Sequence, residues 1–153
     1  MDPTKQPGIE IVQVIVERAE FEHRDDYLSV TPPPNVGPLP FTLKTQFAIA
    51  PSKTEGAVKL ELTTDRGQNP LYIVSAVVVG LVRITEGAAN MPLEQYAAVH
   101  GAGMLFPFLR ELVATLTGRG RLGPVWLPPV NFLAGAMVPP AAPSTEPPKP
   151  ATS

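Results

Sequence analysis

The sequence predicts an α+β fold: a four-stranded antiparallel sheet, then one long bent helix, an apolar crossover loop and a short or absent second helix. Three observations lead there. Four stretches before residue 85 are rich in β-branched and aromatic residues. Compact turn signals separate the last three of them, which makes a meander. From Leu93 onward the apolar period changes from that of a strand to that of a helix. A chain of 153 residues with 44% hydrophobic content suffices for one domain and is too short for two well-buried ones.

Strand one is expected over 9–21, where Ile9, Ile11 and Ile15 alternate with Val12, Val14 and Val16. Both residue parities are apolar, so both faces of this strand are expected to be covered. Residues 22–40 pass from charges (Glu22, His23, Arg24) to a proline cluster and form a long loop. Strand two, Phe41 to Ile49, has the clearest alternation, with Phe41, Leu43, Phe47 and Ile49 on one face. Pro51 to Gly56 marks a hairpin loop. Strand three follows at about 57–64 through Val58, Leu60 and Leu62, and Asp65 to Pro70 is a second turn. Strand four, Leu71 to Ile84, carries a charge-free apolar run from Leu71 to Val82, with Gly80 marking a bulge or a close backbone approach. That run falls well short of the ~20 residues that cross a bilayer, so it reads as a doubly buried strand.

The helix is expected from about 92 to 117, with Asn90 as N-cap, Pro92 in the first turn, and Leu93, Tyr96, Leu105, Leu109 and Val113 at helical spacing. Gly101, Gly103 and Pro107 predict a bend near 101–107. Gly118 and Gly120 end it. Arg121 to Phe132 fits neither period yet is apolar, so it must lie against the rest of the molecule. Residues 133–138 have room for a short helical turn. Much of the excess among the 20 prolines falls between 139 and 150, which predicts a disordered tail over 139–153 beyond a single domain at 1–138.

Composition narrows function. A formal charge of −2 with interspersed signs gives no electrostatic footprint for nucleic acid. The absence of cysteine removes a thiol nucleophile and a cysteine-ligated zinc site. Met1 to Lys5 lacks the pattern of a secretory signal, so a cytoplasmic location without membrane insertion is expected. His23 and His100 stand apart from any carboxylate constellation and read as surface and packing residues. Adjacent helical residues point apart, so Arg110 and Glu111 read as structural charges rather than an acid/base pair. Gly118, Gly120 and Gly123 lack the preceding strand of a nucleotide fingerprint. Neither an enzyme, a metal site nor a cofactor is expected.

The run Leu105-Phe106-Pro107-Phe108, followed by Arg110-Glu111, Arg119-Gly120 and Leu127-Pro128-Pro129-Val130-Asn131-Phe132, resembles the signature of the SecB export-chaperone family. About 28 contiguous residues, 105–132, take part. Phe21-Glu22 and Gly80-Leu81-Val82 add local matches. The resemblance implies a SecB-like fold, a homotetramer built as a dimer of dimers, and a cytoplasmic chaperone that holds unfolded client polypeptides without ATP. It also implies the SecA motor as a partner. Three departures remove features of that docking: acidic positions of the family's motor-facing sheet fall on Arg18 and Ser75, the second helix shrinks to 133–138, and the tail becomes proline-rich. Glu22 is kept.

A holding chaperone exposes apolar surface in grooves. Trp126, Leu127, Val130 and Phe132 are the expected client-binding wall, Phe41, Leu43 and Phe47 the floor, and Met137 a further contact. Trp126 and Phe132 also fit a plain core. Two other functions are consistent with these residues: a dedicated SecB-like chaperone for one client, such as the antitoxin of a toxin–antitoxin system, and a small-ligand binding or scaffolding module on the same fold.

Overall fold

A computed structural model describes residues 8–24, 28–29, 39–68, 70–85 and 91–132. Four antiparallel strands, β1 (Ile9–His23), β2 (Phe41–Ile49), β3 (Glu55–Thr64) and β4 (Tyr72–Ile84), form one sheet in the order β1-β4-β3-β2. β2, β3 and β4 are the expected meander, and β1 returns to pair with β4 along its whole length. The β2–β3 turn is closed by Ala50 N–H to the Glu55 carbonyl (2.9 Å), with Lys53 at φ 59°. In the β3–β4 turn the Asp65 carboxylate accepts Gly67 N–H (2.9 Å) and a single 3₁₀ turn spans Arg66–Gln68.

Register explains which residues are inside. Val58 stands opposite both Phe47 and Gly80, and Leu60 opposite Val78, so the even positions of β3 and β4 share a face with the odd positions of β2. That face carries the helix. α1 (Leu93–Tyr96) passes through a π turn (Ala97–Gly101) into α2 (Ala102–Thr117). Buried positions at Ala97, Gly101, Leu105, Leu109, Val113 and Thr117 recur every four residues. On an ideal helix such a stripe rotates by roughly 40° per step, and the wider π turn offsets part of that drift. The expected irregularity therefore lies at 97–101, upstream of Pro107, which sits exposed within α2.

Gly80 is the close-approach point: a Cβ there would meet the Leu105 side chain at 2.7 Å. The bulges fall instead on β1, between Ile11 and Gln13 and between Val16 and Arg18.

Among the described residues the opposite face is open. Val77 is nonetheless only 3% exposed. Its neighbours across the strands are Arg18 and Glu61, whose charged ends meet at 3.9 Å, so their aliphatic stems arch over it. Lys59 and Glu17 form a second such arch across β4 at 2.9 Å. β1 departs from expectation. Val12, Ile15 and Val16 are 53%, 38% and 52% exposed, because one helix cannot shield both sides of an edge strand. Asn90, the segment 133–138, the tail and most of the 22–40 loop lie outside the described residues.

Candidate functional site

The crossover, residues 119–132, leaves the end of α2 and runs back along it. Gly120 N–H reaches the Thr117 carbonyl (2.8 Å) and Gly123 N–H the Gly120 carbonyl (3.1 Å). Gly123 has φ +81°, a conformation that L side chains avoid, which turns the chain back. Further along, Trp126 reaches Arg110 and Phe132 reaches Phe106, four residues earlier on α2. The Phe106 and Phe132 rings meet edge-on, with centroids 5.3 Å apart. The Arg110 guanidinium lies 5.9 Å from the Trp126 ring centroid. Its buried Nε finds no hydrogen-bond acceptor among the described residues, so the indole face is the partner this charge has.

Because the crossover has neither helix nor ladder, its backbone groups need other partners. The start of the segment finds them on three side chains. The Tyr72 hydroxyl donates to the Gly123 carbonyl (3.0 Å) and accepts Leu122 N–H (2.7 Å). Thr117 Oγ1, fully buried, donates to the Val113 carbonyl (2.7 Å) and accepts Val125 N–H (2.8 Å). His23 Nε2 accepts Arg121 N–H (3.1 Å), from an imidazole packed against Phe21 and Tyr72. Burial pushes the Tyr72 phenol above its ordinary pKa, with the Leu122 hydrogen bond opposing. Burial alone raises Tyr96, whose hydroxyl bonds the Met104 sulfur across the π turn.

Among the expected wall residues, Trp126 is 61% exposed, while Val130 and Phe132 are half-buried against the core. Leu127 is different: it is 0% exposed, so its side chain presents no surface to a client in this conformation. The alternation of outward Trp126 and inward Leu127 has the reason it has in a strand, an extended backbone with one side against protein. Phe41, Leu43 and Phe47 are half-buried together on the helix-bearing face of the sheet. Met137 lies outside the described residues. A hollow of about 540 Å³ is lined by Thr45, Gln46, Phe47, Ala48, Ala57, Lys59 and Val79, so Phe47 is the expected floor residue that it reaches.

Sequence reasoning passed over Tyr72, Thr117 and the contact made by His23. A signal existed for two of them: a tyrosine begins a strand that holds no other aromatic residue, and a threonine occupies the apolar stripe of α2. Among the described residues no cluster of three or more His, Cys, Asp or Glu could hold a metal ion, and no helix is long and apolar enough to cross a membrane.

A family model described as SecB, preprotein translocase subunit SecB, matches residues 4–135. The chain belongs to the SecB family. Among its SecB relatives, the protein-export protein SecB of Acidithiobacillus ferrooxidans is 37% identical over 84 residues, 53% of this chain and 54% of that one. The SecB of Xanthobacter autotrophicus is 25% identical over 135 residues, 84% of this chain and 82% of that one. At the highest identities, the match spans about half the length of the curated relatives. In fold the chain is similar to the SecB-like chaperone Rv1957 of Mycobacterium tuberculosis, solved in complex with a ChAD peptide from the Rv1956 HigA1 antitoxin. The TM-score is 0.59 at 22% identity, covering 80% of this chain and 90% of that one. The four-stranded SecB-like sheet followed by one long helix is thus the architecture expected from the residues.

Proposed function

We propose that this chain is a holding chaperone that binds non-native polypeptide on the seam between α2 and the crossover, without ATP and without catalysing a reaction. The observation that carries the reading is Trp126: an indole left 61% exposed on a backbone pinned to the core, in a chain of the SecB family. With Val130 and Phe132, half-buried on the same segment, it offers a contiguous apolar surface of the kind that marks interaction sites. Its contacts are apolar and non-directional, which suits clients of unrelated sequence. Burying a few client side chains at about 1.5–3 kcal/mol each, against about 2–5 kcal/mol for ordering the client, leaves weak binding per site. Retention of a long client then depends on several seams acting together, which raises avidity by roughly 10²–10⁴.

The β1 edge supports such an array. Val12, Ile15 and Val16 are exposed along a 15-residue edge strand, a surface that a second copy would cover. The working form in this reading is a cytoplasmic homotetramer, a dimer of dimers.

The expected readout is suppression of aggregation of a chemically unfolded model client, at near-stoichiometric ratio and without nucleotide. Trp126→Ala combined with Phe132→Ala should weaken client binding by about tenfold while the oligomer persists. No suppression at several-fold excess of wild-type protein rejects the chaperone reading; an oligomer that dissolves in the double variant makes those rings core and moves the groove elsewhere.

A dedicated chaperone for one client, such as an antitoxin, is the second reading, and one observation favours it. Arg18 points its charge into the open sheet face, paired with Glu61 at 3.9 Å and reaching Ser75 at 3.5 Å, so two positions at which the family resemblance implies acidic residues carry a cation and a hydroxyl, while Glu20, Glu22 and Glu61 share the face. Polypeptides that co-purify with the chain separate the two readings: one dominant species points to the dedicated role, a broad mixture to general holding.

A further inference from the structure

The Tyr72 and Thr117 hydroxyls are placed to do more than satisfy themselves. Each accepts a crossover N–H, from Leu122 at 2.7 Å and from Val125 at 2.8 Å, and each donates to a main-chain carbonyl, Gly123 at 3.0 Å and Val113 at 2.7 Å. A hydroxyl used as donor and acceptor at once is fixed in rotation, so the segment it holds is fixed in direction as well as in distance. The two lie on different elements: Tyr72 begins β4 at the end of the sheet, and Thr117 is the last residue of α2. Together they hold residues 122 to 125 at both ends, and Trp126 is the next residue in the chain.

Packing leaves that arrangement little freedom. A Cβ on Gly120 would come within 2.6 Å of the Tyr72 ring, so the crossover passes directly against it, and Phe21 stacks edge-on against the same ring at 5.2 Å. Thr117 has no exposure at all. Among the described residues the outward side of the segment has no comparable hold: the Arg110 guanidinium lies 5.9 Å from the Trp126 ring centroid, and Trp126 is 61% exposed.

We propose that Tyr72 and Thr117 are positioning residues for client binding: their hydroxyls clamp residues 122–125 so that the indole of Trp126 is presented before a client arrives. The inference rests on the chaperone reading above and deepens it. A free loop of this kind would have to be ordered on every encounter, and that cost would be subtracted from each client's affinity. The clamp places the cost in folding instead, where it is met once.

Trp126 is the chain's single tryptophan, so its fluorescence reports the clamp without labelling. The test uses full-length Tyr72→Phe and Thr117→Val, which delete the hydroxyls and keep the shapes, and Thr117→Ser, which restores one. Three quantities are read on each: amide exchange at Leu122 and Val125, the anisotropy decay of Trp126, and affinity for a fluorescein-labelled unfolded client. The expected result is faster exchange at the freed amide, added nanosecond motion of the indole, and client affinity about three- to tenfold lower, the size expected for losing one hydrogen bond's worth of order. Thr117→Ser should return all three toward wild type. Looser Trp126 with unchanged affinity overturns the inference, and so does lower affinity with an unmoved indole, since the hydroxyls would then act by some other route. Failure of the chaperone reading looks different: wild-type protein itself binds no client, while the exchange and anisotropy changes persist, and the assignment of a client role to the clamp then falls with it. If Tyr72→Phe unfolds, Thr117→Val and its serine rescue carry the decision alone.

Discussion

Leu109 on α2 and Leu127 in the crossover are both fully buried, yet they are held in different ways. Leu109 sits in a helix closed by its own backbone hydrogen bonds save at Pro107, which has no N–H to donate, and its inner face rests on β3, β4 and β1. Leu127 sits in a segment without ladder or helix, anchored by single hydrogen bonds to side chains of other elements. The sheet and helix spread their constraint over many bonds, so no one of them decides the structure. The crossover concentrates it in a few, so each counts. That difference suits the two tasks: the core keeps the fold, and the crossover presents a surface whose position depends on a small number of contacts.

Truncating the two leucines gives the largest expected contrast. Leu109→Ala should cost about 2–5 kcal/mol of unfolding free energy, the usual range for a cavity in a core that cannot collapse. Leu127→Ala removes the same atoms from a segment that can settle inward, and should cost roughly half as much by guanidinium unfolding. Equal costs would mean that the crossover is as rigid as the helix, and the comparison would fail.

Alkaline titration comes next. Burial raises the phenols of Tyr72 and Tyr96, so each folded-state pKa lies above the unfolded value of 10.0. The folded chain then holds protons that the unfolded chain has lost. Stability from these groups is complete below about pH 10 and falls as pH rises through the folded values. In Tyr72→Phe that fall should be smaller, with Tyr96 supplying what remains. An unchanged alkaline slope would mean that Tyr72 ionises without disturbing its contacts to Leu122 and Gly123.

The smallest effect is expected on the open sheet face. Lys59→Gln removes the 2.9 Å pair with Glu17, but the two side chains are 35% and 49% exposed and solvent screens them. The unfolding free energy should fall by about 0.5 kcal/mol or less, and less still at high salt. A loss above about 1 kcal/mol would mean that the arch over β4 matters to the sheet more than its exposure allows.

Much of the architecture was legible in the residues. The alternation in 41–49 and in 57–64, the turn chemistry at 51–56 and 65–70, and the period change at Leu93 each corresponds to an element with bounds within a few residues. Gly80 announced either a bulge or a close approach, because a missing side chain within an apolar strand needs a reason, and the packing of Leu105 makes it the second. The bulges of β1 were not legible, since an extra residue in a continuous Ile/Val run leaves the composition unchanged. Nor was the direction of individual crossover side chains: Trp126 and Leu127 are neighbours with large side chains in a segment of no regular period, so no repeat assigns either to the inner side.

Local chemistry alone, then, sufficed for the elements, their order, and the family signature at 105–132. Periodicity and turn preference act over a few residues and are written wherever those residues stand. Tertiary structure decided which side of the crossover faces solvent, which hydroxyls hold it, and which edge of the sheet is left uncovered. Tyr72 meets Leu122, and His23 meets Arg121, across 50 and 98 positions of sequence. Such meetings exist only once β1, β4 and α2 have packed, because a hydrogen bond depends on distance and direction in space, which separation along the chain does not encode.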